Sequence, residues 1–168
     1  MKKMVLSILV ENTAGVLMRV AGLFARRGYN IDSLTVSETE TVGMSKMTIV
    51  VSGEDEILEQ IQKQLSKLIE VKEIIELKHG ASVCRELILV KVAVDATQRQ
   101  QVLAVADIFR AKIVDVSTDS MMIELTGNQQ KLDAFIGLLG GFEVKELVRT
   151  GITGLTRGNF DMLAGELE

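Results

Sequence analysis

The sequence predicts an α+β fold made of two consecutive ferredoxin-like units, each with the element order βαββαβ. Apolar residues follow strand spacing and helical spacing in the same order in both halves of the 168-residue chain. Between the halves, the small and turn-forming residues His79-Gly80-Ala81-Ser82 interrupt the pattern. The halves share this order without visible residue-level identity. Each half therefore predicts a four-stranded antiparallel sheet with both helices on one face.

In the first half, short β-prone runs alternate with stretches whose apolar side chains recur every three to four residues. Gly28 follows the cationic pair Arg26-Arg27 and supplies a helix stop, because glycine tolerates the left-handed conformation that ends many helices. A turn is predicted over Ser37–Val42. The other predicted elements are strand Lys3–Val10, helix Val16–Arg27, strand Ile31–Val36, strand Met44–Val51, helix Glu54–Lys67 and strand Val71–Leu77.

The second half repeats the plan, and Gly140-Gly141 ends its last helix. Its predicted elements are strand Leu87–Val94, helix Thr97–Arg110, strands Lys112–Ser117 and Met121–Thr126, helix Leu132–Leu139 and strand Phe142–Val148. The segment from Thr150 onwards is glycine-rich and weakly periodic, so no element is predicted there. The predicted domains are residues 1–79, residues 80–160 and a short tail over residues 161–168.

Composition excludes several classes of partner. The net charge of −4 argues against a general affinity for nucleic acid or for an anionic membrane, which both require a basic surface. No apolar run approaches the roughly 18 residues of a membrane span, and the short apolar stretch at the N-terminus is unlike a signal peptide, so we expect a cytoplasmic protein. Cys84 is the single cysteine, so no intramolecular disulfide can form.

The residues that catalysis usually needs are missing from the sequence. His79 and Cys84 are the only histidine and cysteine, which leaves no nucleophile–base pair or zinc-ligand set. Neither a G-x-G-x-x-G motif nor a P-loop is present. The predicted strands are also nearly free of the aromatic residues on which RNA bases would stack. We therefore predict no catalytic residues, no metal site and no bound cofactor.

The turn Asn12–Gly15, between the first strand and the first helix, is the best candidate for a binding site. Free backbone N–H groups and the helix dipole favour a carboxylate at a helix N-terminus, and Gly15 would allow a ligand to approach closely. The alternative is that Asn12 only caps the helix and Gly15 only relieves backbone strain. Asn30 has a similar ambiguity, since it is either a turn residue or an amide that contacts a bound amino acid.

Long stretches of the chain resemble the acetolactate (acetohydroxyacid) synthase small subunits, whose first half is an ACT domain. The segment Arg27–Val36 (RGYNIDSLTV) is highly specific to this family. Lys46 is a departure, because arginine is more usual in the family, and the chain continues past the usual Arg-Gly ending. The similar segments are Leu9–Leu17, Gly22–Phe24, Arg27–Val36, Lys46–Ile49, Glu59–Leu68, Arg85–Leu87, Phe109-Arg110, Leu132–Phe135, Arg149–Gly151 and Leu155–Gly158.

This resemblance implies a regulatory subunit without catalytic activity of its own. In the family, a separate catalytic subunit carries thiamine diphosphate, Mg and usually FAD, and makes acetolactate for branched-chain amino acid biosynthesis. The small subunit activates it and confers feedback inhibition by valine. The resemblance also implies a homodimer with effector sites between its subunits. The matching site residues are Asn12, Thr13, Ala14, Gly15, Val16, Asn30 and Ile31.

Two alternatives follow from the residues alone. One is a stand-alone ACT-type amino-acid sensor that acts on a different partner. The other is a small enzyme of ferredoxin-like fold, which would need a cluster of titratable groups in one pocket. The sequence does not distinguish valine from leucine or isoleucine, because one methylene changes affinity by only about 1–3 kcal/mol.

Overall fold

The computed structural model describes residues 1–158, and both predicted βαββαβ units are confirmed. The first comprises β1 (Lys2–Glu11), α1 (Val16–Arg26), β2 (Ile31–Glu38), β3 (Met44–Gly53), α2 (Asp55–Ser66) and β4 (Val71–Glu76). The second comprises β5 (Ser82–Ala93), α3 (Ala96–Phe109), β6 (Lys112–Val116), β7 (Ser120–Gly127), α4 (Gln129–Leu138) and β8 (Glu143–Arg149). A further short strand, β9 (Thr153–Thr156), follows them.

The first sheet has the strand order β2-β3-β1-β4, and all its pairs are antiparallel. Alternate residues of β1 and β3 point towards the two helices and form a core with Phe24 of α1 and Leu65 of α2. β2 pairs with β3 on one side only, so its other side is an edge of this sheet. Glu38 pairs with Ser45 and extends β2 two residues into the predicted turn, which leaves a tighter hairpin tip.

The end of α1 determines where β2 begins. Gly28 has a φ of +67°, the conformation predicted for a helix-ending glycine. Its N–H donates to the carbonyl of Ala25, and the N–H of Tyr29 donates to the carbonyl of Phe24. These two bonds form a Schellman motif, which satisfies the last carbonyls of the helix. The chain then turns through Asn30 directly into β2.

The second sheet has the order β6-β7-β5-β8, again with antiparallel pairs. Its core contains Ile88, Ile123 and Phe135, and the rings of Phe109 and Phe135 meet edge to face at 5.3 Å. Within β5, Glu86 is only 6% exposed and accepts two hydrogen bonds of 2.9 Å from the guanidinium of Arg149. Arg149 also donates to Asp133 of α4 at 3.3 Å.

The segment around β9 is the one element that the periodicity did not predict. β9 pairs with β5, and the N–H of Arg157 donates to the carbonyl of Ala81. On the face of the first sheet away from the helices, the hydroxyl of Thr35 donates to the carbonyl of Ile152 at 2.6 Å. This pairing explains why β5 begins five residues before the predicted strand, because a segment distant in sequence extends it.

The described chain forms two compact units. Met1–Cys84 and the segment from Ile152 onwards make up unit 1, and Arg85–Gly151 make up unit 2. The predicted domains over residues 1–79, 80–160 and 161–168 stay a prediction, and the tail over residues 161–168 lies outside the described residues. After it has formed unit 2, the chain therefore returns to unit 1 at Ile152.

Candidate functional site

The turn before α1 leaves the N-terminus of that helix open. Gly15 is the N-cap residue with a φ of +87°, and no side chain forms a capping hydrogen bond there. Asn12, Thr13 and Ala14 are exposed, whereas Val16 is buried and anchors the first turn to the core. A Cβ built on Gly15 would meet nothing within 4 Å. The N–H of Val16 donates to the carbonyl of Thr13, whereas the N–H groups that follow it in the first turn have no side-chain cap and, at the positive end of the helix dipole, can bind an anion.

At the corresponding turn of unit 2, a side chain caps the N-terminus of the helix. Helix α3 begins after Asp95, whose carboxylate accepts from the N–H of Gln98 at 2.8 Å. The Gln98 side chain accepts in return from the N–H of Asp95, so the pair forms a complete capping box. The chain's own carboxylate thus occupies the helix N-terminus in unit 2, whereas unit 1 leaves the equivalent position empty.

Asn12 does not cap α1, so this part of the alternative interpretation is wrong. Its amide Nδ2 instead donates to Oε1 of Glu38 at 3.1 Å, and its backbone N–H donates to the carbonyl of Gly43 at 2.8 Å. These bonds attach Asn12 to the hairpin between β2 and β3. For Gly15, the positive φ by itself requires a residue such as glycine, so the alternative based on backbone conformation remains compatible with the structure.

Asn30 lies at the other end of β2. Its amide Nδ2 donates to Oδ1 of Asp32 at 3.2 Å, and Oδ2 of Asp32 accepts from the hydroxyl of Ser52. Ile31 is half-buried and packs against the core. Asn30 is exposed, and its side chain therefore contributes a polar group at the start of the edge strand.

One chain does not bring the predicted site residues together. Asn12 contacts Glu38 at the end of β2, whereas Asn30 immediately precedes its start. The eight residues of β2 separate these positions by roughly 23 Å at about 3.3 Å per residue. Asn12–Val16 and Asn30-Ile31 are therefore two half-sites within one chain. A single amino acid is too short to reach both.

Sequence reasoning missed Glu38 and Asp32 as members of these half-sites. The sequence predicts a turn at Glu38, because the apolar pattern of β2 ends at Val36. Only the strand register shows that it lies beside Asn12. Asp32 follows Asn30 closely, but carboxylates near turns are common and carry no specific signal of their own.

A metal-ligand cluster and a membrane-spanning helix are both absent from the part of the chain that the structure describes. Among residues 1–158, no cluster of three or more His, Cys, Asp or Glu side chains could hold a metal ion. No helix within the same range is both long and apolar enough to cross a membrane. His79 is exposed in the turn between the units' sheets.

Comparison with known proteins gives consistent matches over both units. A family model described as the small subunit of acetolactate synthase matches residues 85–158, and one described as an AHAS small subunit-like ACT domain matches residues 6–73. The acetolactate synthase small subunit of Mycolicibacterium smegmatis is 52% identical over 153 residues, which cover 91% of this chain and 90% of the relative. Its counterpart from Mycobacterium leprae is 50% identical over 153 residues, with the same coverage of 91% and 90%.

A solved structure supports the same comparison. The crystal structure of the acetolactate synthase small subunit from Thermotoga maritima superposes with a TM-score of 0.86 at 44% sequence identity. The match covers 95% of this chain and 99% of that one.

Proposed function

The chain belongs to the family of acetolactate synthase small subunits, and from this premise we propose that it is a regulatory subunit for branched-chain amino acid biosynthesis. It activates the thiamine-diphosphate-dependent catalytic subunit and makes that enzyme sensitive to feedback inhibition by valine. Thiamine diphosphate, Mg and FAD belong on the catalytic partner. The complex acts in the cytoplasm.

The observation that carries this proposal is the uncapped N-terminus of α1. An amino-acid effector has a carboxylate, and accessible backbone N–H groups at a helix N-terminus bind carboxylates well. Unit 2 illustrates this preference, because the Asp95 carboxylate occupies its equivalent position. We assign the effector site to Asn12, Thr13, Ala14, Gly15 and Val16, together with Asn30 and Ile31.

A second copy of the chain is needed to complete this site. The free edge of β2 can pair with β2 of another copy around a two-fold axis, and such a pairing is antiparallel. The end of one strand then lies beside the start of the other. This arrangement joins Asn12 of one protomer to Asn30 of the partner subunit and creates two equivalent sites. Leu17 and Met18, which α1 leaves exposed, supply apolar surface for the interface.

We expect the purified chain to sediment as a dimer at micromolar concentration, with a mass of twice 18.4 kDa. Val36→Glu should shift it towards the monomer, because Val36 is a 43%-exposed apolar residue on the edge strand. A matched control is Val114→Glu on β6, because Val114 is a 47%-exposed valine in unit 2. A wild-type monomer, or equal effects of both substitutions, would argue against pairing through β2.

The function itself is tested by acetolactate formation in a reconstituted system. The chain alone should form no acetolactate, the cognate catalytic subunit alone should be slow and insensitive to valine, and the mixture should be faster and inhibited by valine. The stand-alone sensor predicts a different result, namely valine binding without any effect on the catalytic subunit. Acetolactate formation by the contaminant-free chain would contradict its regulatory role.

A further inference from the structure

In both asparagines of the proposed site, the amide nitrogen donates a hydrogen bond to a carboxylate. Asn12 donates through Nδ2 to Glu38, and Asn30 donates through Nδ2 to Asp32. An ionised carboxylate can only accept hydrogen bonds, so it selects the amide orientation in which the nitrogen faces it. The carbonyl oxygen Oδ1 of each asparagine then faces away from the carboxylate. Each half-site therefore presents an acceptor oxygen to a ligand.

The charges of these two carboxylates are not compensated within the described chain. Glu38 and Asp32 have no lysine or arginine at ion-pair distance among residues 1–158. Both side chains are exposed. Some other surface carboxylates of unit 1 have cationic partners, as Glu11 does with Lys72 at 2.9 Å. Each half-site thus combines a negative charge with an acceptor oxygen.

We propose that Glu38 and Asp32 recognise the α-ammonium group of the effector and hold Asn12 and Asn30 in the orientation that accepts from it. This inference rests on the proposed function. When β2 pairs with β2 of a second copy, Glu38 of one protomer comes close to Asp32 of the partner subunit. An ammonium group has three donors and one positive charge, which these acceptors and carboxylates complement, while the helix N-terminus binds the ligand's carboxylate.

This arrangement distinguishes ligands by whether they have an α-ammonium group. The site binds α-amino acids more tightly than 2-hydroxy and 2-oxo acids of the same shape, because those acids have a carboxylate but no ammonium group. Under the proposed function, the catalytic partner joins two 2-oxo acids to form acetolactate. A small subunit that requires an ammonium group therefore responds to the amino-acid product of the pathway without responding to substrates of the enzyme.

The test compares L-valine with (S)-2-hydroxy-3-methylbutanoate, which replaces only the ammonium group by a hydroxyl. Binding to the full chain is measured by ligand-observed NMR, which detects millimolar dissociation constants, for wild type, Glu38→Gln and Asp32→Asn. We expect each substitution to weaken valine binding about tenfold and to leave binding of the hydroxy acid within about twofold. The matched control is Glu40→Gln, an exposed glutamate two residues away, which should bind both ligands as wild type does.

Other outcomes would overturn the proposal. Unchanged valine binding in both variants would show that the carboxylates do not recognise the ammonium group. An equal loss of valine and hydroxy-acid binding would show that they only maintain the structure of the site. A loss in Glu40→Gln as large as in Glu38→Gln would indicate a general charge effect. If wild type binds neither ligand, the effector site itself is absent, which distinguishes failure of the proposed function from failure of this inference.

Discussion

Replacing Gly15 with Asp should raise the valine concentration needed for inhibition by tenfold or more, while activation of the catalytic subunit is retained. The new carboxylate lies next to the N–H groups that we assign to the carboxylate of valine. Two like charges about 4 Å apart repel by about 1 kcal/mol in water and by several times more in a partly buried site. The measurement is acetolactate formation by the reconstituted complex across a valine titration.

Gly15→Asn is the matched control for this substitution. The φ of +87° at Gly15 strains most side chains, so Gly15→Ala would combine a conformational cost with any effect on the ligand. Asn and Asp both tolerate the left-handed region and have nearly the same size, so they differ mainly in charge. Gly15→Asn should therefore retain most of the valine response. If the two variants respond equally, or if Gly15→Asp responds as wild type does, the helix N-terminus does not bind the effector carboxylate.

Arg149→Met should destabilise unit 2 by about 2–3 kcal/mol in urea-induced unfolding. Removing the guanidinium leaves the carboxylate of Glu86 buried without its charged partner, and such unpaired charges cost several kcal/mol. The partial exposure of Arg149 reduces this cost through solvent screening. The hydrogen bond with Glu86, followed by its charge, raises the pKa of Arg149, so the guanidinium stays charged throughout the working pH range.

Two further variants separate the loss of a buried pair from the loss of a surface charge. Lys145→Met removes the exposed pair with Asp119, which spans 3.8 Å, and should cost less than about 0.5 kcal/mol. Combining Glu86→Gln with Arg149→Met should recover part of the stability, because no unpaired charge is then buried. Equal costs for Arg149→Met and Lys145→Met would show that burial of Glu86 contributes nothing.

The order of elements was predictable because each helix and strand has its own local pattern. Spacing from Val16 to Phe24 defines α1, and Gly28 ends it through a φ that other residues rarely adopt. β9 was not predictable in this way. A strand of four residues has too few positions to show alternation, and its partner at the start of β5 lies about 70 residues earlier in the sequence.

The candidate site was only partly predictable for a related reason. Asn12 and Asn30 are close in sequence and both lie at turns, but α1 runs between them and carries the chain to the opposite end of the sheet. Periodicity identifies that helix without showing that it separates the two residues by the length of β2. The bonds to Glu38 and Asp32 depend on strand register and side-chain orientation, which no local pattern contains.

The return of the chain to unit 1 has a consequence for the order in which the protein can be completed during synthesis. A nascent chain emerges from its N-terminus, so β1 to β4 are available well before Ile152 has been made. Thr35 and Ile152, which are joined by a hydrogen bond, are 117 residues apart in the sequence. The first sheet can assemble early on the ribosome. However, its hydrogen bond to Ile152 and the pairing of β9 with β5 must wait until all of unit 2 has been translated.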